Sequence, residues 1–364
     1  MFPALALAHD LIARGKPVVF LTDERGRKFV TSQDGLTIHV ISSATFPKGL
    51  MGKIKAVTVL ARGWIQSRRL IAQYKPGVVI GFGGYPSLPP MVAAGQKKIP
   101  TIIHEQNAVL GRANAYLASK ADKIALSLDN MTSLNPGDAS RVTVTGNPVR
   151  AEIAALYTHP YSVPEDDKKF GILVMGGSQG ARIMRDVVPA ALISLPQDLR
   201  DRLYVMQQCH EEDISAVRKI YAEAGIHSDI RSFFDDVSAV LKQAHLVISR
   251  SGASTVAEVA IVGCPAIYVP FAHHVDQQQK VNAETVSSCG GAWILEEKDF
   301  SPVNLASKIK SLIRSPADLF RAAEAARSCA KPDAARKLGD LVIALQKGWD
   351  NRYEKQILRK SRGE

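Results

Sequence analysis

Short apolar runs alternate with helically spaced segments along almost the whole chain, and this alternation restricts the fold more than any other feature. In the first half Pro17-Val-Val-Phe-Leu21, Val78-Val-Ile-Gly81, Thr101-Ile-Ile-His104, Lys123-Ile-Ala-Leu126 and Val142-Thr-Val-Thr145 read as strands. In the second half Phe170-Gly-Ile-Leu-Val-Met175, Leu203-Tyr-Val-Met206, Leu246-Val-Ile-Ser249 and Ala266-Ile-Tyr-Val269 repeat the pattern. Strands of this kind, with helices between them, predict an α/β fold of doubly wound parallel sheets. The pattern breaks over the polar, Pro-punctuated stretch Thr158 to Lys169, and 364 residues with 46% apolar content suffice for two cores. The expected organisation is a first domain over 1–150, a linker over 151–168, a second domain over 169–345 and a basic tail over 346–364. Two such domains facing each other leave a cleft at the carboxyl ends of their strands, where ligands bind in open α/β sheets.

Several function classes are disfavoured. The chain contains no apolar run of roughly 18 residues, the length that marks a membrane span. The opening Met1 to His9 lacks a basic leader region and runs directly into Asp10-Leu-Ile-Ala-Arg14, so it reads as a structured helix rather than a secretory signal. Cys209, Cys264, Cys289 and Cys329 are far apart and form no paired ligand set, so reduced thiols, without disulfides or zinc, are expected. A formal charge of +11 calls for an anionic partner. Without zinc-finger, RNP-type or basic-helix patterns, nucleic acid is not expected to be that partner.

The chemistry-bearing segments sit at strand ends. Ser251-Gly-Ala-Ser-Thr-Val-Ala-Glu258 follows an apolar strand and opens a helix, and Asp276-Gln-Gln-Gln-Lys-Val-Asn282 follows the next strand. Backbone N–H groups and the positive end of a helix suit a diphosphate, a carboxylate can accept ribose hydroxyls, and side-chain amides can read a neutral sugar. The competing reading of the first segment is a plain helix cap with a solvated Glu258. Met175-Gly-Gly-Ser-Gln-Gly-Ala181 also follows a strand and opens a helix. A dinucleotide fold is the rival there, but the G-x-G-x-x-G spacing is absent and Gln207 and Gln208, not an acid, follow the next strand. In the first half Gly81-Phe-Gly-Gly-Tyr85 and His104-Glu-Gln-Asn107 end successive strands, and four consecutive polar residues make a better site wall than a core.

The set GFGGYPS (Gly81 to Ser87), HEQN (His104 to Asn107), GNPVR (Gly146 to Arg150), GGSQGA (Gly176 to Ala181), RSGASTVAE (Arg250 to Glu258) and DQQQKVNA (Asp276 to Ala283) closely resembles the MurG family of bacterial peptidoglycan glycosyltransferases, in order and over nearly the whole chain. The resemblance implies a GT-B architecture of two Rossmann-like domains facing a cleft. The implied activity is an inverting glycosyltransferase, a hexosyltransferase that moves GlcNAc from UDP-GlcNAc to lipid I and makes lipid II for peptidoglycan synthesis, cell shape and cell division. No cofactor or metal is implied. In the donor site the resemblance assigns Glu258 to the ribose, Ser251, Gly252 and Ala253 to the diphosphate, and Ser178 and Gln179 to the nucleotide sugar. Gln278 and Gln279 would read the GlcNAc hydroxyls, Phe234 would offer its backbone to uracil, and Asn107 and Arg150 would reach the donor from the first domain. For Arg150 a salt bridge across the hinge competes with ligand binding.

Acceptor binding is implied at Gly83, Gly84 and Tyr85, in a first domain that also associates with the membrane. Ile54, Val57, Leu60, Trp64 and Ile65 interleave with Lys53, Lys55, Arg62, Arg68 and Arg69, a surface suited to an anionic bilayer, although an ordinary amphipathic helix has the same pattern. The implied location is the cytoplasmic face of the inner membrane, held peripherally, with other cell-wall synthesis proteins as partners. The family begins with a strand and a Gly-rich loop carrying its candidate base, whereas this sequence opens at Met1-Phe2-Pro3, matching the residues after that loop. The expectation is a start placed downstream of the true one, with His104 or Glu105 as the base within these residues. A UDP-sugar-binding protein with little transfer, or a related enzyme with another lipid acceptor, is the alternative.

Overall fold

Every strand pairs parallel to its neighbours, as apolar runs buried on both faces require. The computed structural model describes residues 1–30, 36–45, 49–129, 131, 133–165, 168–176, 182–272 and 277–361. The chain divides into one unit of Met1–Arg150 with Asp333–Glu364 and another of Ala151–Pro332.

In the first unit β1 (Val19–Thr22) pairs with β2 (Thr37–Val40). A separate sheet runs β3 (Val79–Gly81), β4 (Thr101–Glu105), β5 (Lys123–Leu126) and β6 (Val142–Val144), in that order. Among the described residues no ladder joins β1 to β3. β4 is buried at every residue, and Ile102, Ile103, Ile124 and Ala125 are wholly enclosed. The helix Leu50–Tyr74 approaches this unit closely at Gly63, where a Cβ would stand 2.1 Å from the Ser42 carbonyl oxygen. Only glycine fits there.

The second unit is one six-stranded sheet. Its strands are β7 (Phe170–Met175), β8 (Leu203–Gln208), β9 (His227–Arg231), β10 (Leu246–Ser249), β11 (Ala266–Tyr268) and β12 (Ala292–Ile294). The spatial order is β12-β11-β10-β7-β8-β9, so the chain leaves β7 toward one edge, then returns to β10 and winds toward the other. The strand order reverses between β7 and β10, which is where a crevice opens at the carboxyl ends of such sheets. Phe170, Ile172, Val174, Leu246 and Ile248 form the middle of its core.

The structure departs from the sequence expectations in three places. The segment 151–168 is not only a linker, since Ala151–Ala154 and Ala155–Thr158 are helical and belong to the second unit. The second unit also ends at Pro332 instead of 345, and the helix Ala334–Ser361 continues through the expected tail and belongs to the first unit. Leu338, Leu341, Val342 and Leu345 give that helix an apolar stripe, which is covered by Leu7, Leu11, Val18, Val78 and Ile80 of the first unit. Finally, Cys289 and Cys329 are joined in a disulfide, while Cys209 and Cys264 are free and buried. The two ends meet because Gly291 lets its turn lie against the helix Pro316–Ser328: a Cβ at Gly291 would stand 2.6 Å from the Ala326 backbone. No spacing rule announces a pair 40 residues apart.

Candidate functional site

In the second unit the motif-bearing strand ends converge at the point where the sheet order reverses. Ser249 stands level with Met175 on one side and Tyr268 on the other. The Arg250 N–H donates to the Met175 carbonyl (3.3 Å) and the Val269 N–H to the Ser249 carbonyl (2.8 Å). The helix Ala253–Val262 then starts from Gly252, whose lack of a side chain leaves the first turn without a side-chain cap. Ser251 does not cap it either, because its hydroxyl is fully buried and has no partner among the described residues. That argues against the plain-cap reading and leaves orphan N–H groups at a positive helix end, an arrangement that suits a phosphate. Glu258 lies on the same helix, about 7.5 Å beyond Ala253 along the axis at 1.5 Å per residue, and is 9% exposed.

The helix Gln278–Ser287 is locked onto this turn. Asn282, 1% exposed, donates its amide to the Ser251 carbonyl at 3.2 Å, and Gln279 accepts the Phe271 N–H at 3.0 Å. Gln278 and Gln279 thus share a helix with a buried anchor one turn on. Arg250 adds a second tie, donating to the Val269 carbonyl (3.0 Å), pairing with Glu297 and stacking over Phe271. Phe234 is buried, 4% exposed over the whole residue. Ser178, Gln179 and Asp276 lie outside the described residues. Asn282 and Arg250 were within quoted motifs but carried no expected role; Asn282's signal was its i+3 and i+4 spacing from the glutamines.

In the first unit the HEQN segment ends β4 and bonds mostly to itself. Glu105, 2% exposed, accepts five hydrogen bonds, from the backbone N–H groups of Gln106, Asn107 and Gly111 and the side-chain amides of Asn107 and Asn114, at 2.8–3.1 Å. Both of its oxygens are engaged. His104 is fully buried, with Nε2 3.0 Å from the Gly146 carbonyl and Nδ1 2.9 Å from the Gln106 amide nitrogen. That amide nitrogen also donates to the His104 carbonyl (2.9 Å), which fixes its orientation. The Nε2–H tautomer follows, donating to Gly146 while Nδ1 accepts. Burial pushes the imidazole down to about 4, so it is neutral at ordinary pH.

Gly83 and Gly84 adopt left-handed φ values of +75° and +69°, and a Cβ on Gly83 would stand 3.1 Å from the Asn114 amide nitrogen. The turn at Tyr85 therefore rests on the same asparagine that holds Glu105. Asn114 was missed in the sequence because it lies one loop beyond the motif. The Arg150 guanidinium stacks over the Phe2 ring at 5.2 Å. On the helix Leu50–Tyr74, Ile54, Val57 and Ile65 are exposed, as is Met51, which the sequence pattern did not single out. Leu60 is only partly exposed. Trp64 is partly covered, packs beside Ile71 and Ala93 and donates its indole N–H to Gln96 at 3.0 Å. Two of the five expected membrane-facing residues are therefore partly turned into the fold, because this helix also packs on the helix Leu88–Gln96.

Comparison with known proteins gives a consistent answer. Residues 1–126 match the glycosyltransferase family 28 N-terminal domain, and residues 171–338 match the glycosyltransferase family 28 C-terminal domain. The UDP-N-acetylglucosamine--N-acetylmuramyl-(pentapeptide) pyrophosphoryl-undecaprenol N-acetylglucosamine transferase of Rhodospirillum centenum is 44% identical over 94% of this chain and 90% of its own length. The protein of the same name from Brucella canis is 43% identical over 96% and 92%. The crystal structure of MurG from Acinetobacter baumannii superposes with a TM-score of 0.74 at 29% identity, covering 94% of this chain and 95% of that one. The two parallel-sheet units are thus those of the GT-B fold. Matched by family models in both halves and by relatives over nearly its whole length, the chain belongs to glycosyltransferase family 28.

Proposed function

We propose that this protein transfers N-acetylglucosamine from UDP-N-acetylglucosamine to the C4 hydroxyl of an undecaprenyl-pyrophosphoryl-N-acetylmuramyl-pentapeptide, the step that makes lipid II. The observation that carries this reading is the uncapped helix at Gly252, with Glu258 along it and the Gln278–Ser287 helix bonded to its first turn. In this reading Ser251, Gly252 and Ala253 face the diphosphate, Glu258 holds the ribose, Gln278 and Gln279 read the sugar, and the Phe234 backbone meets uracil. Ser178, Gln179, Asn107 and Arg150 complete the donor contacts, with Gly83, Gly84 and Tyr85 on the acceptor side. The acceptor oxygen forms a bond to the anomeric carbon as the bond to UDP breaks, with inversion. The hydroxyl proton goes to a base, and the charge growing on UDP falls at the positive helix end.

His104 and Glu105 support a positioning role better than a base role. A base needs a free lone pair within reach of the acceptor hydroxyl; the ring nitrogens and both carboxylate oxygens are already bonded to protein. No described helix is long and apolar enough to cross a membrane. Exposed Met51, Ile54, Val57 and Ile65 on a basic helix support peripheral docking at the cytoplasmic face of the inner membrane, where the lipid acceptor lies. The test is transfer of labelled N-acetylglucosamine to that acceptor, beside a diacylglycerol as a rival. Transfer to the muramyl lipid alone is expected, and transfer to the diacylglycerol alone would overturn the acceptor assignment.

A further inference from the structure

Two consecutive carboxylates, Glu296 and Glu297, follow β12 and lie outside every segment that the sequence singled out. Their strand end runs beside that of β11, where the Leu295 N–H donates to the Tyr268 carbonyl at 2.9 Å. Each carboxylate reaches a different segment of the donor site. Glu296 Oε1 lies 2.7 Å from the Lys280 ammonium, but these side chains are 37% and 42% exposed, so water screens the pair and it contributes little. Glu297 pairs with Arg250, and here the side chains are only 16% and 11% exposed. Removing one partner of so enclosed a pair leaves the other charge without compensation.

Arg250 passes this anchor on. Its Nη1 donates to the Val269 carbonyl at 3.0 Å, and its guanidinium lies 5.3 Å from the centre of the Phe271 ring. Phe271 is 37% exposed, so burial alone does not fix it. Its backbone N–H donates to Gln279 Oε1 at 3.0 Å. With Oε1 accepting from the backbone, the carboxamide meets a ligand through its Nε2–H donors. The Ser251 turn is held by other bonds, from the Arg250 N–H to the Met175 carbonyl and from the Asn282 amide to the Ser251 carbonyl, neither of which involves Glu297.

We propose that Glu297 is a positioning residue for the sugar half of the donor: through Arg250 and Phe271 it sets the Gln279 side chain, and it leaves the nucleotide-holding turn alone. The inference rests on the donor-site part of the proposed function, in which Gln279 reads the sugar and the Ser251 to Glu258 segment holds the nucleotide.

The experiment compares the wild type, Glu297→Gln, Gln279→Ala and the double variant as full chains. Dissociation constants for UDP-N-acetylglucosamine and for UDP are measured by calorimetry, beside transfer kinetics and melting temperature. Glu297→Gln keeps the side-chain shape and removes the charge; it is expected to weaken UDP-N-acetylglucosamine about tenfold, with KM rising in step, while UDP binding changes by less than about twofold. Gln279→Ala is expected to show the same split, and the double variant to be no worse than Gln279→Ala alone, because residues acting in series are not additive. Equal losses of affinity for both ligands, with a lowered melting temperature, would make the ion pair a structural brace and overturn the proposal. Full additivity in the double variant would overturn it too, as would tighter UDP binding by Glu297→Gln, which would mean that Glu297 holds Arg250 off the diphosphate. The two readings fail separately. A wild type that binds neither ligand removes the donor-site reading and this inference with it, whereas wild-type binding and transfer with unchanged affinities in Glu297→Gln removes the positioning role alone.

Discussion

The HEQN corner of the first unit and the Ser251–Glu258 corner of the second are built from similar materials and finished differently. Each puts a carboxylate, amides and glycines just past the end of a parallel strand. In the first corner the carboxylate and the imidazole are satisfied: Glu105 gathers five donors and His104 bonds through both ring nitrogens, while Asn114 Oδ1 finds no partner among the described residues. In the second corner the Ser251 hydroxyl has no partner among the described residues and the helix at Gly252 has no side-chain cap. Buried polar groups are normally satisfied, so a carboxylate and an imidazole bonded to their own loop hold shape, whereas a helix end without a side-chain cap can take an anionic ligand. Motif membership alone does not separate the two roles.

The largest expected effect tests the open corner. Glu258→Ala is expected to lower transfer by roughly a thousandfold, about 4 kcal/mol, mostly as a higher KM for UDP-N-acetylglucosamine and with an almost unchanged melting temperature. A large loss of melting temperature instead would make Glu258 a structural residue like Glu105 and erase the contrast. Glu105→Ala is expected to do the reverse, costing about 3 kcal/mol of stability as its buried donors lose their acceptor, seen as a lower urea midpoint. Full stability with abolished transfer would return Glu105 to the role of base.

The next test is electrostatic. Burial places the His104 pKa near 4, below its ordinary 6.5, so the unfolded chain binds the extra proton first. Its contribution is complete above about 6.5 and declines as pH falls toward 4, by up to about 1.4 kcal/mol per pH unit. Urea denaturation across this window should show that slope, and His104→Gln should flatten it. The smallest effect sharpens the other side: Asn282→Ala removes one bond to the Ser251 carbonyl and is expected to cost about 1 kcal/mol. Because that bond joins two donor-facing segments, the KM for the nucleotide sugar should rise more than kcat falls. An unchanged KM would mean the clamp does not shape the site.

The central strands were legible in the sequence and three edge strands were not. β4, β7 and β10 are uninterrupted apolar runs because neighbours and helices cover them. β9, written His-Ser-Asp-Ile-Arg, and β12, three residues behind a glycine pair, are the edges of their sheet, and β2 belongs to a two-stranded pair with a neighbour on one side only. An edge needs a neighbour on one side only, so its residues need not be apolar, and its pairing comes from the sheet already present. The site divides similarly. Gly252, Glu258, Gln278 and Gln279 were legible because their residue types suit a nucleotide sugar, whereas Asn282, Asn114 and Gln106 matter through bonds that form only in the folded chain.

The sequence by itself determined the two-domain parallel α/β architecture and the family, since hydrophobic periodicity and motif order are local and sequential properties. Tertiary structure alone decided that Ala334–Ser361 belongs with the first unit, that Cys289 meets Cys329, and that His104 and Glu105 bind their own loop. Each of these depends on which surface or polar group lies nearest in space, and an apolar stripe, a thiol or a carboxylate carries no mark of its partner until the chain has closed around it.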